Sequence, residues 1–269
     1  MDPLHSLSKT LITRLSLLFS LFCITNAAAF NLTTITFNEG YSPLFSDFNI
    51  LRSSDDKSVS ILLNRLSGSG FISSDYYNYG LFSANIKLPS NYSAGIVVAL
   101  YTSNGDIYEK NHDELDFEFL GNIHGKPWRF QTNMYGNGST ARGREERYHL
   151  WFDPSKEFHR YSILWTSQRI IFYVDEVPIR EVVRNEEMGG DYPSKPMSLY
   201  ATIWDASNWA TAGGKYKVNY RYPVPPPECV IVPSEQELFK DTGRLKEAMK
   251  LKFGRRPRSH RRPRQLKAE

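Results

Sequence analysis

The chain has 269 residues, 41% of them hydrophobic and only two of them cysteine, Cys23 and Cys229; that is enough for one substantial core, built as one large β domain or two small ones. Its net charge of +4 is unevenly placed: residues 240–269 hold twelve Lys and Arg against three Asp and Glu, whereas Phe30 to Phe239 sum to −6. No stretch of ~18 apolar residues follows the N-terminal segment, which argues against a transmembrane anchor.

In chain order, Lys9 and Arg14 precede an apolar run from Leu15 to Ile24, and Ala27-Ala28-Ala29 supplies small residues for cleavage. This is the pattern of a secretory signal peptide over residues 1–29, leaving a mature chain that starts near Phe30. Cys23 would leave with it, so Cys229 has no internal disulfide partner, which is unusual for a secreted protein. Asn-x-Ser/Thr sequons stand at Asn31, Asn91 and Asn137, and the turn-like run Gly136 to Thr140 makes Asn137 the favoured glycan acceptor.

Short aromatic and β-branched runs, broken by Gly, Pro, Asn and Asp, then predict antiparallel strands. They fall at 58–63, 79–88, 95–102, 112–120, 128–135, 148–152, 159–165, 169–175, 179–184, 197–204 and 216–222, with no long helical period before residue 230. So many strands suggest an all-β sandwich of two sheets. Prolines at 223, 225, 226, 227 and 233 read as a semi-rigid linker that cannot join a sheet interior, so the domain is expected to span 30–222. In the remaining 223–269, Ser234 and Glu237 fit a capping box for a short helix, and the Arg/Pro-rich end beyond Gly254 reads as disordered. That basic tail is either simply solvated or a contact for an anionic wall polymer or membrane surface; a secretory leader makes nucleic acid the poorer partner.

The segment His112-Asp113-Glu114-Leu115-Asp116-Phe117-Glu118-Phe119-Leu120 alternates strictly. A strand would turn Leu115, Phe117 and Phe119 to one side and Glu114, Asp116 and Glu118 to the other. Three carboxyls at ~7 Å intervals repel one another, and burial would raise their pKa values further. A solvated outer face or a Ca²⁺ site accounts for the pattern in structural terms. The catalytic reading uses the mutual perturbation: one carboxylate stays ionised as a nucleophile, one keeps a proton for a leaving oxygen, and a third tunes both. The Cα atoms of positions i and i+4 are some 13 Å apart, so the two Glu side chains would have to lean inward on a curved sheet. His112 has no second His or Cys at metal spacing and reads as a hydrogen-bonded support; no metal and no cofactor is called for. Gly68-Ser69-Gly70 lacks the third glycine of a nucleotide loop. Trp128, Trp151 and Trp165 sit in apolar runs and read as core, whereas Trp204 and Trp209 flank a loop and read as binding residues, Trp209 most of all.

The run His112 to Gly121 resembles the signature of plant xyloglucan endotransglucosylase/hydrolases, a branch of glycoside hydrolase family sixteen. The similarity continues through Gln131-Thr132-Asn133, Arg144-Glu145-Glu146, Leu150-Trp151-Phe152-Asp153-Pro154 and Trp204 to Gly214. The resemblance implies a curved jelly-roll (concanavalin-like) sandwich with an open cleft, and a double displacement that cuts a glucan and passes it to another chain. It assigns Glu114 as nucleophile, Asp116 as helper and Glu118 as acid/base. It assigns Gln131, Thr132, Asn133, Gly143, Arg144, Glu145, Asn208, Trp209 and Gly213 to the sugar subsites, where amides and guanidinium bind hydroxyls and Trp stacks on pyranose faces. Xyloglucan as donor and acceptor, a monomer, and a place in the cell wall follow from the same resemblance.

The chain departs from the family after Tyr222. There the family continues with a further core strand and then a cysteine-bearing region, whereas this chain runs directly into Pro223-Val224-Pro225-Pro226-Pro227-Glu228-Cys229. The expectation is an internal loss that leaves one sheet a strand short, exposes an edge and lowers stability. The Pro-rich run to Cys229 and the tail resemble a branch in which transfer is usual. Hydrolysis of xyloglucan or another β-glucan, and wall binding without turnover, remain the competing readings.

Overall fold

The computed structural model describes residues 35–45 and 47–221, and the backbone of 228–233. The leader over 1–29, Asn31, the Ser234 cap and the basic tail lie outside the described residues.

Most of the predicted runs become strands. β1 (Tyr41–Leu44) follows a one-turn helix, α1 (Phe37–Gly40), and precedes β2 (Ile50–Arg52), β3 (Val59–Leu62), β4 (Ser69–Ser73), β5 (Gly80–Lys87) and β6 (Ile96–Ser103). β7 (Glu114–Leu120), β8 (Arg129–Tyr135), β9 (Glu146–Tyr148), β10 (His159–Trp165), β11 (Arg169–Val174), β12 (Val177–Val183), β13 (Ser198–Asp205) and β14 (Glu228–Pro233) complete the set. They form two seven-stranded sheets, in the orders β1-β4-β13-β6-β7-β8-β9 and β12-β11-β10-β5-β14-β3-β2. Every pairing is antiparallel.

The core lies between the sheets, where the period-2 apolar faces meet. β7 sends Leu115, Phe117 and Phe119 into it, each fully buried. Phe117 meets Phe172 of β11 edge-on at 5.2 Å, and Phe119 meets Tyr161 of β10 edge-on at 4.7 Å. Each such ring buries 150–250 Å² and prefers edge-to-face geometry. The acid-bearing strand is thereby clamped from below by the opposite sheet.

Three expectations are corrected here. Residues 216–221 form no strand. Their apparent alternation is used otherwise: Tyr92 Oη donates to the Lys217 carbonyl (3.0 Å), Val218 N to Ser207 Oγ (3.0 Å) and Tyr220 Oη to Asp205 (2.8 Å). The segment read as a linker that no sheet could admit contributes β14, seated between β3 and β5 in the interior of the second sheet. The prolines bracket Glu228–Val232 rather than interrupt it, so each of those five residues keeps the N–H that a ladder needs. The strand expected over 148–152 shifts to β9, because Trp151 stands 59% exposed beyond the sheet edge instead of in the core. Trp128 and Trp165 are buried as expected. β1, β2 and β4 had no counterpart among the predicted runs. A Cβ on Gly70 would come within 2.4 Å of the Ala201 carbonyl, so the residue serves close approach to β13.

Candidate active site

The register of the first sheet assembles the site. Across β7, Ser103, Tyr101 and Ala99 of β6 stand opposite Glu114, Asp116 and Glu118 on one side. Tyr135, Asn133 and Gln131 of β8 stand opposite the same acids on the other. Beyond them Arg147 of β9 faces Gln131, and Tyr200 of β13 faces Tyr101. Since side chains alternate across a strand, all of these share the outer face, opposite the core. Tyr101 and Tyr200 are stacked at 4.8 Å with 7° between their planes, an aromatic floor beside the acids.

The acid row is buried enough to perturb itself. Asp116 is 7% exposed, and Glu114 and Glu118 are half-buried. Desolvation pushes Glu114 up to about 7; the hydrogen bond from Ser103 pulls the other way, and the charge of Glu118 adds to the rise. Asp116 is driven well above the carboxylate range by desolvation first, then by the charges of Glu114 and Glu118. The bond between the two stabilises the proton on Asp116 and the charge on Glu114. Glu118 is raised by desolvation, opposed by Gln131 and reinforced by the charge of Glu145. The row therefore sets one carboxyl whose proton is held by burial and by both neighbours, Asp116, between two glutamates that are raised by burial and each accept a hydrogen bond, an arrangement on which a division into nucleophile and proton donor can be built.

Gln131 is the hub on the acid/base side. Its amide nitrogen donates to Glu118 at 2.6 Å and to Glu145 at 2.9 Å, and its carbonyl accepts from Arg147 Nε at 3.2 Å. Arg147 also binds Glu145 at 2.8 Å. Asn133 donates to Tyr135 Oη at 2.7 Å. His112 packs edge-on against Tyr135 at 5.9 Å, and burial lowers its pKa.

Asp113 anchors the start of the strand. It is fully buried and accepts from the backbone N–H groups of Asn137 (2.7 Å), Ser194 (2.8 Å) and Lys195 (2.8 Å) and from Lys195 Nζ (2.7 Å). Two segments, the Asn137 turn and the Ser194-Lys195 pair, are thus tied to the residue preceding Glu114.

The remaining sequence-predicted residues divide. Thr132 faces the core, fully buried, and its hydroxyl accepts from Arg180 at 2.9 Å, so its side chain is not with the acids. The same period-2 rule that selects Gln131 and Asn133 excludes it. Arg144 pairs with Asp191 and donates to Ser139 Oγ at 3.1 Å, and Gly143 is exposed beside it. Asn208, Trp209 and Gly213 are exposed on the loop after β13, with Trp209 at 39%. That loop caps the Leu120 end of β7: Ala206 and Ala210 pack on Val97 and Leu120, with Trp204 against them, and Thr211 Oγ1 donates to the Gly121 carbonyl at 2.9 Å. Asn137 sits exposed in a turn at φ 53°. Tyr101, Tyr200, Ser103 and Arg147 were missed. Pairing the alternating run Val97–Ser103 against the acid strand would have found the first and third.

Among the described residues no group of His, Cys, Asp and Glu has the arrangement of a metal site. No helix among them is long and apolar enough to cross a membrane.

The family model for glycosyl hydrolases of family 16 matches residues 37–222. The chain is 53% identical over 310 aligned positions to probable xyloglucan endotransglucosylase/hydrolase protein 30 of Arabidopsis thaliana, covering 89% of this chain and 90% of that protein. It is 62% identical over 213 positions to protein 28 of the same series and organism, covering 78% of this chain and 64% of that one. Since 89% of 269 residues is about 239, some 71 of the 310 positions face gaps in this chain. Among solved structures, a β-1,3-1,4-glucanase (lichenase) from a mouse hindgut metagenome superposes with a TM-score of 0.57 at 21% identity, covering 74% of this chain and 93% of that one. The architecture is accordingly the jelly-roll β-sandwich of such glucanases.

Proposed function

The chain belongs to the glycosyl hydrolases of family 16, and from that premise we propose that it cuts the β-1,4-glucan backbone of xyloglucan and transfers the fragment to a second xyloglucan chain. The observation that carries this reading is the acid row of β7, with Glu118 bound by Gln131 and Glu114 bridged to Asp116 and Ser103. In the proposed mechanism the Glu114 carboxylate attacks the anomeric carbon while protonated Glu118 gives its proton to the departing glycosidic oxygen. Asp116 keeps its proton and uses it to hydrogen-bond the Glu114 carboxylate, which orients the nucleophile and stabilises its charge when it departs in the second step. Ionised Glu118 then takes the proton of an acceptor hydroxyl, whose oxygen displaces Glu114 with net retention. Water in place of that hydroxyl gives hydrolysis by the same residues.

Gln131, Asn133, Glu145 and Arg147 line one side of this cleft in the proposal, and Tyr101, Tyr200 and the Trp209 loop the other, supplying hydroxyl partners and stacking faces. Export under the N-terminal leader places the protein in the cell wall as a monomeric glycoprotein. The names of the Arabidopsis relatives support the substrate. The test is transfer of a fluorescent xyloglucan oligosaccharide onto polymeric xyloglucan, read by size-exclusion chromatography. Fluorescence in the polymer peak with the intact chain and none with Glu114→Ala is the expected result; polymer shortening without incorporation replaces transfer by hydrolysis.

A further inference from the structure

Away from the acid row, a groove of about 650 Å³ runs between the 90–91 turn, the β7–β8 loop and residues 150–156. One wall is the Trp151 ring, 59% exposed and braced edge-on by Phe152 at 5.3 Å. Polar side chains, Ser90, Lys126 and Lys156 among them, line the same groove. At its margin stands Asn91, exposed, at φ 68° on the tip of a turn, and Asn91-Tyr92-Ser93 is a glycosylation sequon. An aromatic face beside hydroxyls and ammonium groups is the chemistry that takes a pyranose, whose ring faces are apolar and whose rim is polar.

We infer that Asn91 carries an N-linked glycan and that its first sugars lie in this groove against Trp151. This rests on the proposal that the chain enters the secretory route. The amide nitrogen of Asn91 bonds to the anomeric carbon of a diphosphate-activated oligosaccharide; the diphosphate leaves with the electron pair and the amide loses a proton. Once attached, the sugar needs only weak affinity for the groove, because a short tether gives an effective concentration in the millimolar range. The glycan thereby covers an aromatic face that the fold leaves open.

The full chain, expressed in plant cells from its own N-terminus, is digested and its glycopeptides are mapped by mass spectrometry. A glycan on the Asn91 peptide is expected. Glycan on Asn137 with Asn91 bare overturns this inference and leaves the secretory reading intact; a chain retained in the cytosol with every sequon bare overturns both. The contact is tested by thermal unfolding of Trp151→Ala in the glycosylated chain and in the Asn91→Gln background. Trp151 is exposed, so the variants should fold. The substitution removes the Phe152 contact in both backgrounds and should lower Tm by about 2 °C more with the glycan present than without it. Equal changes in both backgrounds overturn the docking.

Discussion

Replacing Glu114 by Gln should stabilise the fold, and only above a defined pH. The folded protein holds the Glu114 proton up to about 7, against an ordinary value of 4.5. A raised acid pKa means that the folded state prefers the protonated carboxyl. Its stabilising contribution is complete below about pH 4.5 and is lost as pH rises through 7. The full interval corresponds to about 3 kcal/mol. Glu114 keeps part of its surface open, and Gln cannot reproduce both the Ser103 and the Asp116 bonds, so the working figure is about half, or ~1.5 kcal/mol. For a domain of this size that is about 4 °C in Tm. Thermal unfolding of the parent and Glu114→Gln should therefore coincide near pH 4 and separate by pH 7.5, with the variant higher. A variant equal to or less stable than the parent at pH 7.5 refutes the claim that burial of this charge is costly.

Ser103→Ala removes the bond that lowers the Glu114 pKa, so the acidic limb of kcat/KM should move to higher pH; an unmoved limb contradicts the assignment. Gln131→Leu removes the bond that lowers Glu118, so the basic limb should also move upward, with turnover retained below it. Arg180 is 8% exposed and binds Thr132, the Arg144 carbonyl at 2.7 Å and Glu146 at 3.2 Å. Arg180→Met, which leaves the buried Thr132 hydroxyl and the Arg144 carbonyl without this donor, should cost about 3 kcal/mol in urea unfolding. Val230→Pro removes a backbone donor from β14, whose neighbours β3 and β5 pair on both sides. It should cost about 3 kcal/mol, and an unchanged midpoint would show that this strand does not support the sheet.

The acid strand was legible because its period is uninterrupted and its apolar half is aromatic. Leu115, Phe117 and Phe119 could face only a core, which fixes where the acids point. Gln131 and Asn133 were legible for the same reason, and Thr132 was wrongly included because a motif was read as a block instead of by alternate residues. What composition hid was partnership. Lys195 lies far along the chain from Asp113, and the salt link that fixes the start of β7 has no local signature. Trp151 misled because an apolar triplet looks like a strand; among the described residues no strand pairs with the outer edge of β9, so the triplet has no sheet to join. The proline count misled over 223–233, where position mattered more than number. The sheet edge expected to lie open is instead paired by β14.

The most direct test of the mechanism is to trap the covalent intermediate. A xyloglucan oligosaccharide with an activated aryl leaving group needs no acid for its departure, so Glu118→Ala should accumulate the glycosyl-enzyme because nothing activates the acceptor. Peptide mapping of the quenched protein should place the oligosaccharide mass on Glu114. An adduct on Asp116, or turnover by the parent chain with inversion at the anomeric carbon, would contradict the account.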